Sequence, residues 1–288
     1  MRFKYLPVIL CRLLCWSVLA VATPQAASNN PQLDLGVQSY KAARYEEAFQ
    51  HFQKAVEIEP TNIRAHLLPG DSACSTVHSR SDSPENVRLG KLAVEQYYKV
   101  LALDPSDMSA VKAVGYLNLQ MKEFELAKGY YQKATEIDPN DPQPYYTIGV
   151  IDWTQTYQPR MELRAKRGLK PEQQLIGNAE CWQVRDANSN RIEDGIEMLK
   201  KAIELRHDYD DAMAYMNLMY RERADIRCGD SKARAADLKT ADEWVDLTLA
   251  SKKRKAEQED KRRRDGATRG NSAGTTTTID FSTAPNPQ

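Results

Sequence analysis

The chain has few of the residues and none of the short motifs on which enzyme chemistry usually depends. No G-x-S-x-G, P-loop, H-E-x-x-H or dinucleotide-binding fingerprint occurs in its 288 residues. The four histidines stand on separate segments, without cysteine or carboxylate partners at a metal-ligand spacing; they are His51, His66, His78 and His207. We therefore expect no catalysis and no metal or other cofactor.

Glycine and long apolar runs are also scarce. Glycine occurs 13 times, 41% of the residues are hydrophobic and the mean hydropathy is −0.64, which favours a helical chain. Beyond the N-terminus no stretch is apolar enough to span a bilayer. The 40 Lys and Arg residues balance the 40 Asp and Glu residues, and this neutrality argues against nucleic-acid binding through phosphate neutralisation.

The N-terminus has the features of a secretory leader. Arg2 and Lys4 precede a short apolar segment at 13–22, which ends in the small residues that signal peptidases require. We predict a signal peptide at 1–22, with cleavage as late as Ala27 as a second choice. The chain is then an exported protein, periplasmic or secreted; an N-terminal membrane anchor is the alternative.

Three cysteines remain after the predicted cleavage. Cys74, Cys181 and Cys228 are an odd number at irregular spacing, which is not the pattern of a disulfide framework. We expect free, buried or incidental thiols. A Cys181–Cys228 bridge in an oxidising compartment is the alternative that the sequence leaves open.

Two segments repeat one spacing of glycine, alanine, aromatic residues and proline. The first contains Leu35-Gly36, Tyr45, Ala48, Phe52, Ala55 and Pro60, and the second contains Val114-Gly115, Phe124, Ala127, Tyr131, Ala134 and Pro139. This pattern resembles the tetratricopeptide repeat, a helical hairpin of about 34 residues. The resemblance implies an all-α solenoid, a right-handed superhelix of about five hairpins, because one hairpin cannot bury its apolar face alone.

Prolines follow the second helix of the first three hairpins, at 60, 105 and 139, and His207 stands at the corresponding place of the fourth, so these positions divide the chain into units. The predicted units are repeat 1 at 29–62, repeat 2 at 63–107, repeat 3 at 108–141, repeat 4 at 142–209 and repeat 5 at 210–251. A basic helical extension at 252–265 and a disordered, Thr- and Ser-rich tail at 266–288 follow.

Repeat 4 is twice the usual length. Residues 158–190 lack the alanine and aromatic positions of a further repeat and contain Pro159 and Pro171. We predict an insertion between the two helices of repeat 4, with 161–168 able to extend the first helix. Long insertions in solenoids usually project from one face and are often functional.

Repeat 2 is irregular in its first helix. Pro69 and Gly70 stand where the leucine–glycine pair is expected, and residues 68–81 share neither composition nor period with the rest of the chain. A natural loop that replaces a decayed helix explains this segment, and so does a compensated frameshift in the coding sequence. The DNA sequence distinguishes the two hypotheses.

In this family the first helix of each hairpin lines the concave groove where partners bind, so the resemblance implies a set of contact residues. The predicted partner-binding residues are Tyr40, Lys112, Tyr116, Tyr146, Val150, Trp153 and Arg221. Packing between neighbouring hairpins is the alternative role for the aromatic members. Leu33 and Val37 stand where chaperone-binding members carry lysine and asparagine, so a chaperone C-terminus is not the expected ligand.

The resemblance implies a non-enzymatic scaffold or adaptor that holds a peptide or protein in the groove. Two other hypotheses remain, namely a self-associating structural protein of a bacterial envelope and an accessory subunit of an envelope enzyme or transport complex. The sequence names neither the partner nor the oligomeric state.

Overall fold

The computed structural model describes residues 30–42, 44–63, 65–68, 70, 84–170, 173 and 179–272. The regular secondary structure within these ranges is helical, which confirms the all-α prediction. The helices are α1 (Pro31–Lys41), α2 (Tyr45–Ile58), α3 (Pro84–Leu103), α4 (Met108–Gln120), α5 (Phe124–Ile137), α6 (Pro142–Lys166), α7 (Ala179–Leu205), α8 (Asp210–Asp225) and α9 (Ser231–Ser272). Residues 63, 65–68 and 70 are also helical and lie between α2 and α3.

Acidic residues fix the starts of two helices that begin hairpins. The Asp107 side chain accepts a hydrogen bond from the Ala110 amide at the start of α4, at 2.7 Å. The Asp141 side chain accepts one from the Gln143 amide at the start of α6, at 2.9 Å, and a proline occupies the first helical position there. Both contacts satisfy amides that would otherwise lack an intrahelical partner.

Consecutive helices pack as antiparallel hairpins, and the hairpins lean on one another. The pairs are α1 with α2, α4 with α5, α6 with α7 and α8 with α9. Contacts of α3 with α4, of α5 with α6, and of α8 with both α6 and α7 join the hairpins. The apolar clusters accordingly lie between helices along the chain rather than in one central core.

A glycine in the first helix of four hairpins faces a large side chain of the second helix. A Cβ atom added to Gly36 would overlap the Phe52 ring, and one added to Gly115 would lie 3.1 Å from the Tyr131 ring. In repeat 4, Leu199 takes the place of the aromatic residue against Gly149. These contacts set how closely the two helices approach.

The irregular first helix of repeat 2 keeps this contact. Residues 65–68 and 70 are helical, and a Cβ atom at Gly70 would lie 2.8 Å from the Tyr97 ring of α3. Gly70 therefore occupies the glycine position of the repeat even though Pro69 precedes it. Residues 71–83 lie outside the described residues, so the loop and frameshift hypotheses for 68–81 both remain.

Repeat 4 is long because its helices are long. α6 continues through Pro159 to Lys166, and α7 begins at Ala179, so helix occupies much of the segment 158–190 that was predicted as an insertion between the two helices. The extension of α6 was expected, whereas the early start of α7 was not. Pro159 lies on the exposed side of α6, where its ring meets solvent.

The last helix continues beyond the hairpin that it completes. Ser251 is fully buried in α9, whereas the side chains at 252–264 are exposed. The helix reaches Ser272, which is inside the segment predicted to be disordered. The rest of that tail, and the predicted signal peptide, lie outside the described residues. In the described part of the chain, we find no helix with the length and apolarity needed to cross a membrane.

Two glycine substitutions test the close helix contact with opposite expected signs. A Cβ at Gly149 would lie 2.5 Å from Leu199 Cγ and 3.2 Å from the Gly195 carbonyl oxygen, so Gly149→Ala should lower the free energy of unfolding by about 1–3 kcal/mol. A Cβ at Gly129, inside α5, has nothing within 4 Å, so Gly129→Ala should raise it by about 0.5–1 kcal/mol. Urea denaturation measures both; stabilisation by Gly149→Ala would contradict the packing.

Candidate partner-binding face

The first helices of repeats 4 and 5, α6 and α8, lie side by side and run in the same direction. Tyr146 and Trp153 of α6 contact Tyr215 of α8, and further along both helices Arg160 contacts Glu222. We call this contact the α6–α8 seam. Its members are Tyr146, Val150, Trp153, Tyr157, Arg160 and Arg164 on α6, and Tyr215, Leu218, Glu222 and Asp225 on α8.

The helical repeat explains why these residues share one face. The α6 members follow one another at intervals of three or four residues, which places them in a stripe along one side of the helix. The α8 members follow the same spacing. The seam is aromatic over its first half and ionic over its second half.

The aromatic half consists of rings in a continuous row. Tyr146 lies 4.9 Å from Tyr209, which precedes α8, and 5.7 Å from Tyr215, between ring centroids. Trp153 lies 5.4 Å from Tyr215 and 4.9 Å from Tyr157. The three tyrosines Tyr146, Tyr209 and Tyr215 are buried, and burial raises their pKa. Trp153 and Tyr157 are half-buried and therefore leave ring surface for a partner.

The ionic half joins the extended part of α6 to α8. Arg160 donates to both carboxylate oxygens of Glu222, at 2.5 and 2.8 Å, and to Asp225 at 2.7 Å. Arg164, which is almost fully buried, donates to the same Asp225 at 2.9 Å. Burial raises the pKa of Glu222, although the Arg160 charge opposes the shift. The two-pronged pairing is the geometry that a guanidinium forms with a carboxylate.

A disulfide bond lies next to the ionic half of the seam and joins the start of α7 to the turn after α8. Cys181 and Cys228 are bonded, 47 residues apart in sequence and 5.6 Å apart between Cα atoms. The expectation of free thiols was therefore wrong for Cys181 and Cys228, and the alternative of a bridge between them is confirmed, whereas Cys74 lies outside the described residues. The spacing gave no signal because the long α6 and α7 helices bring the start of α7 next to the turn after α8. At that turn Cys228 has a φ of 43° and Gly229 a φ of 100°.

The structure brings three of the predicted contact residues to the seam. Val150 and Trp153 are half-buried there, beside the aromatic row. Tyr146 is also there but is only 5% exposed, because Tyr209 and Tyr215 cover its ring. Tyr146 thus shapes the face and does not offer ring surface of its own, which corrects the expectation of an open aromatic at this position.

The other predicted contact residues lie away from the seam. Tyr116 is 2% exposed in the core between α3 and α4, so it is a packing residue and not the predicted groove aromatic. Lys112 pairs with Asp141 at the start of α6. Tyr40 packs edge-on against Tyr45 at 5.4 Å, and Arg221 is exposed and pairs with Asp242 of α9 at 2.7 Å.

Sequence reasoning missed the second half of the seam. Tyr157, Arg160 and Arg164 continue the three- and four-residue spacing of Tyr146 and Trp153. Extending that spacing beyond Pro159 would have found them. The predicted insertion began at residue 158, so the spacing was not followed beyond Pro159, whereas α6 continues through that proline to Lys166.

A second buried charge lies where α5, α6 and α7 meet. Asp152 of α6 is fully buried, and its carboxylate accepts a hydrogen bond from Lys128 of α5 at 2.7 Å. Asp194 of α7 lies 3.8 Å from the same Lys128 nitrogen. Burial raises the pKa of Asp152 to about 6, and Lys128 and Arg191 limit the shift.

The described residues offer little for small-molecule or metal chemistry. No group of three or more His, Cys, Asp or Glu side chains in this part of the chain could hold a metal ion. A depression of about 440 Å³ lies away from the seam, lined by Tyr145, Glu197, Met198, Lys200, Lys201 and Glu204.

The buried Asp152 predicts a pH-dependent stability. Its pKa is higher in the folded protein than the usual value of about 3.9, so the folded state favours the protonated form. The stability that it contributes is full below about pH 4 and is lost as the pH rises through about 6, by up to about 3 kcal/mol. Asp152→Asn should reduce the change of the free energy of unfolding between pH 4 and 7, as measured by urea denaturation. Asp186→Asn, at an exposed site, should not reduce it. An unchanged pH dependence in Asp152→Asn would contradict the prediction.

The ionic half of the seam predicts a large cost for removing Arg160. Arg160→Ala leaves Glu222 and Asp225 buried with fewer partners, so the free energy of unfolding should fall by about 3–5 kcal/mol. Arg185→Ala removes an exposed arginine paired with Asp186 and should cost less than about 1 kcal/mol. Thermal unfolding of both variants measures the two losses of stability. Equal losses would contradict the expectation that the buried pairs of Arg160 stabilise the protein more than the exposed pair of Arg185.

Comparison with known proteins supports the repeat interpretation. A sequence model described as the tetratricopeptide repeat matches residues 113–141. The chain is 25% identical over 137 residues to the Protein CTR9 homolog of Arabidopsis thaliana, covering 47% of this chain and 12% of that protein. It is 27% identical over 106 residues to Hsp70-Hsp90 organizing protein 3 of the same plant, covering 36% and 17%. The chain thus spans only a small part of these relatives.

Solved structures share the architecture over most of the chain. A crystal structure of MamA superposes with a TM-score of 0.53 at 16% identity, covering 78% of this chain and 98% of that one. A MamA structure from Desulfovibrio magneticus RS-1 gives 0.51 at 17% identity, covering 77% and 94%. Identities this low establish the fold alone.

The stacked hairpins, the repeated glycine contacts and the match at 113–141 agree with one another. The predicted solenoid of hairpins is confirmed. The chain therefore contains a tetratricopeptide repeat at 113–141 and has the fold of a solenoid built from such hairpins.

Proposed function

We propose that the protein is a non-enzymatic scaffold that holds a segment of a partner protein against the aromatic half of the α6–α8 seam. The observation that carries this proposal is the row of rings that ends in the half-buried Trp153 and Tyr157. Rings already held by neighbours lose little conformational freedom when a partner binds.

The surroundings of these rings favour an apolar or aromatic partner side chain. Val150 and Leu218 are half-buried beside the row and extend its apolar surface. The Arg160 guanidinium lies 5.4 Å from the centre of the Tyr157 ring and bounds the apolar surface on one side. Such a face, with a rigid aromatic centre and a charged edge, has the composition of a protein-binding hot spot.

The relatives support a binding role in general terms. One of them is by its name an organizing protein for Hsp70 and Hsp90. Leu33 and Val37 replace the lysine and asparagine that resemblance associates with chaperone binding, so we do not extend that ligand to this chain. Export, the self-associating role and the role as an accessory subunit stay predictions.

Substitution of the two half-exposed rings tests the proposal. Crosslinking in the native cell, followed by mass spectrometry, identifies the partner, and titration of the purified partner then measures the dissociation constant. Trp153→Ala with Tyr157→Ala should weaken binding at least about tenfold, because two anchoring rings are lost.

Tyr98→Ala is the matched control for this experiment. Tyr98 is an aromatic residue of α3, 41% exposed and remote from the seam. It should leave the dissociation constant unchanged, and circular dichroism should show that all variants remain folded. Equal affinity of the double variant and the wild type would overturn the proposal.

A further inference from the structure

We propose that oxidation of Cys181 and Cys228 during folding is what makes the α6–α8 seam competent to bind its partner. This inference rests on the proposed function and names a regulation of the same face. The disulfide is the last link of a chain of contacts that begins at the exposed rings, so its formation and the shape of the binding face are coupled.

The contacts lead step by step from the rings to the sulfur atoms. Tyr157 stacks with Trp153, and Arg160 lies over the Tyr157 ring. Arg160 in turn pairs with Asp225, whose carbonyl oxygen lies 3.9 Å from the sulfur of Cys181. The bond partner Cys228 is in the turn directly after α8.

Further contacts secure the same segment. Arg164 pairs with Asp225 and also donates to the carbonyl oxygens of Lys170 and Gln173, in the connection after α6. Leu163 and Leu169 pack against the two cysteines. The disulfide therefore joins α7 to the end of α8, with the extended part of α6 held between them.

Without the disulfide, buried charge contacts and the packing around Leu163 and Leu169 hold this segment. Burial of paired charges costs desolvation free energy, which their attraction only partly repays. A covalent bond that closes a 47-residue loop restricts the open chain and so favours the closed seam. We expect the reduced protein to open here more often than the oxidised protein.

The burial of the sulfur atoms indicates when the bond forms. Cys181 is 1% exposed and Cys228 is 6% exposed, so a dissolved thiol or disulfide reaches them only while the segment is open. The bond is therefore set as the protein folds and persists afterwards. Whether Cys181 and Cys228 are bonded in the folded protein therefore depends on whether an oxidant was present while the protein folded.

The chemistry is a thiol–disulfide exchange in two steps. The thiolate of one cysteine attacks a disulfide oxidant such as oxidised glutathione, forming a mixed disulfide and releasing one glutathione thiolate. The thiolate of the other cysteine attacks the protein sulfur of that mixed disulfide and releases the second. Two protein thiols are oxidised, one glutathione disulfide is reduced to two thiols, and the protein loses two hydrogen atoms.

Hydrogen exchange tests the inference without a partner. The full chain is refolded with oxidised glutathione or with dithiothreitol, and mass spectrometry checks the loss of two hydrogens. Amides at 158–166 and 218–228 should exchange at least about tenfold faster in the reduced protein, whereas those at 108–137 should not change. Equal exchange in both preparations would overturn the inference.

Cysteine variants distinguish the effect of the disulfide from any effect of the refolding conditions. Cys181→Ser with Cys228→Ser should reproduce the fast exchange under oxidising conditions, and Cys74→Ser should behave as the wild type. If the double variant does not fold, the oxidised wild type in dithiothreitol supplies the second measurement. Its reduction should be no faster than the opening of 218–228; faster reduction would contradict the burial argument.

Partner titration distinguishes failure of this inference from failure of the proposed function. The reduced protein should bind the partner of Trp153 and Tyr157 at least about tenfold more weakly than the oxidised protein. Unchanged affinity with faster exchange would overturn the regulation and leave the scaffold function standing. If the ring substitutions do not change the affinity of the partner, the scaffold function is overturned. The hydrogen-exchange rates of the oxidised and reduced protein would then still show whether the disulfide stabilises the segment.

Discussion

The close approach of two helices at a residue without a side chain is the contact on which the packing of four of the hairpins depends. Phe52 fills the space over Gly36, and Tyr131 does the same over Gly115. Each such contact fixes one hairpin, and a fixed hairpin presents its remaining apolar surface to the next one. The solenoid is the result of repeating this local constraint, and its stability is shared between neighbours rather than held in one core.

Repeat 4 keeps that contact and adds length to both helices. The added turns carry charges into the space beside α8, where Arg160 and Arg164 pair with carboxylates of α8. A disulfide stabilises the same region from the other side. Because these contacts fix the first helices of two repeats against each other, the aromatic residues between them keep a defined surface. The departure from the regular repeat thus produces the candidate binding face.

The sequence predicted the repeat because the glycine, alanine and aromatic positions follow directly from the hairpin packing. The same register puts Val150 and Trp153 on one side of α6, and contact of these two residues with a partner stays a prediction. The sequence did not predict the burial of Tyr116 and Tyr146, because helical spacing gives the side of a helix and not what covers that side. The Cys181–Cys228 disulfide was only the alternative to free thiols, since the lengths of α6 and α7, which bring the two cysteines together, do not follow from the cysteine spacing.

Site-specific photo-crosslinking tests the central claim, that the α6–α8 seam is the surface that meets the partner, most directly. A benzophenone amino acid replaces Leu218, beside the aromatic row, or Leu126, which is 52% exposed on α5. The account predicts that one defined protein is crosslinked in the native cell from position 218 and not from position 126. Crosslinking of that protein from position 126 but not from position 218 would contradict it.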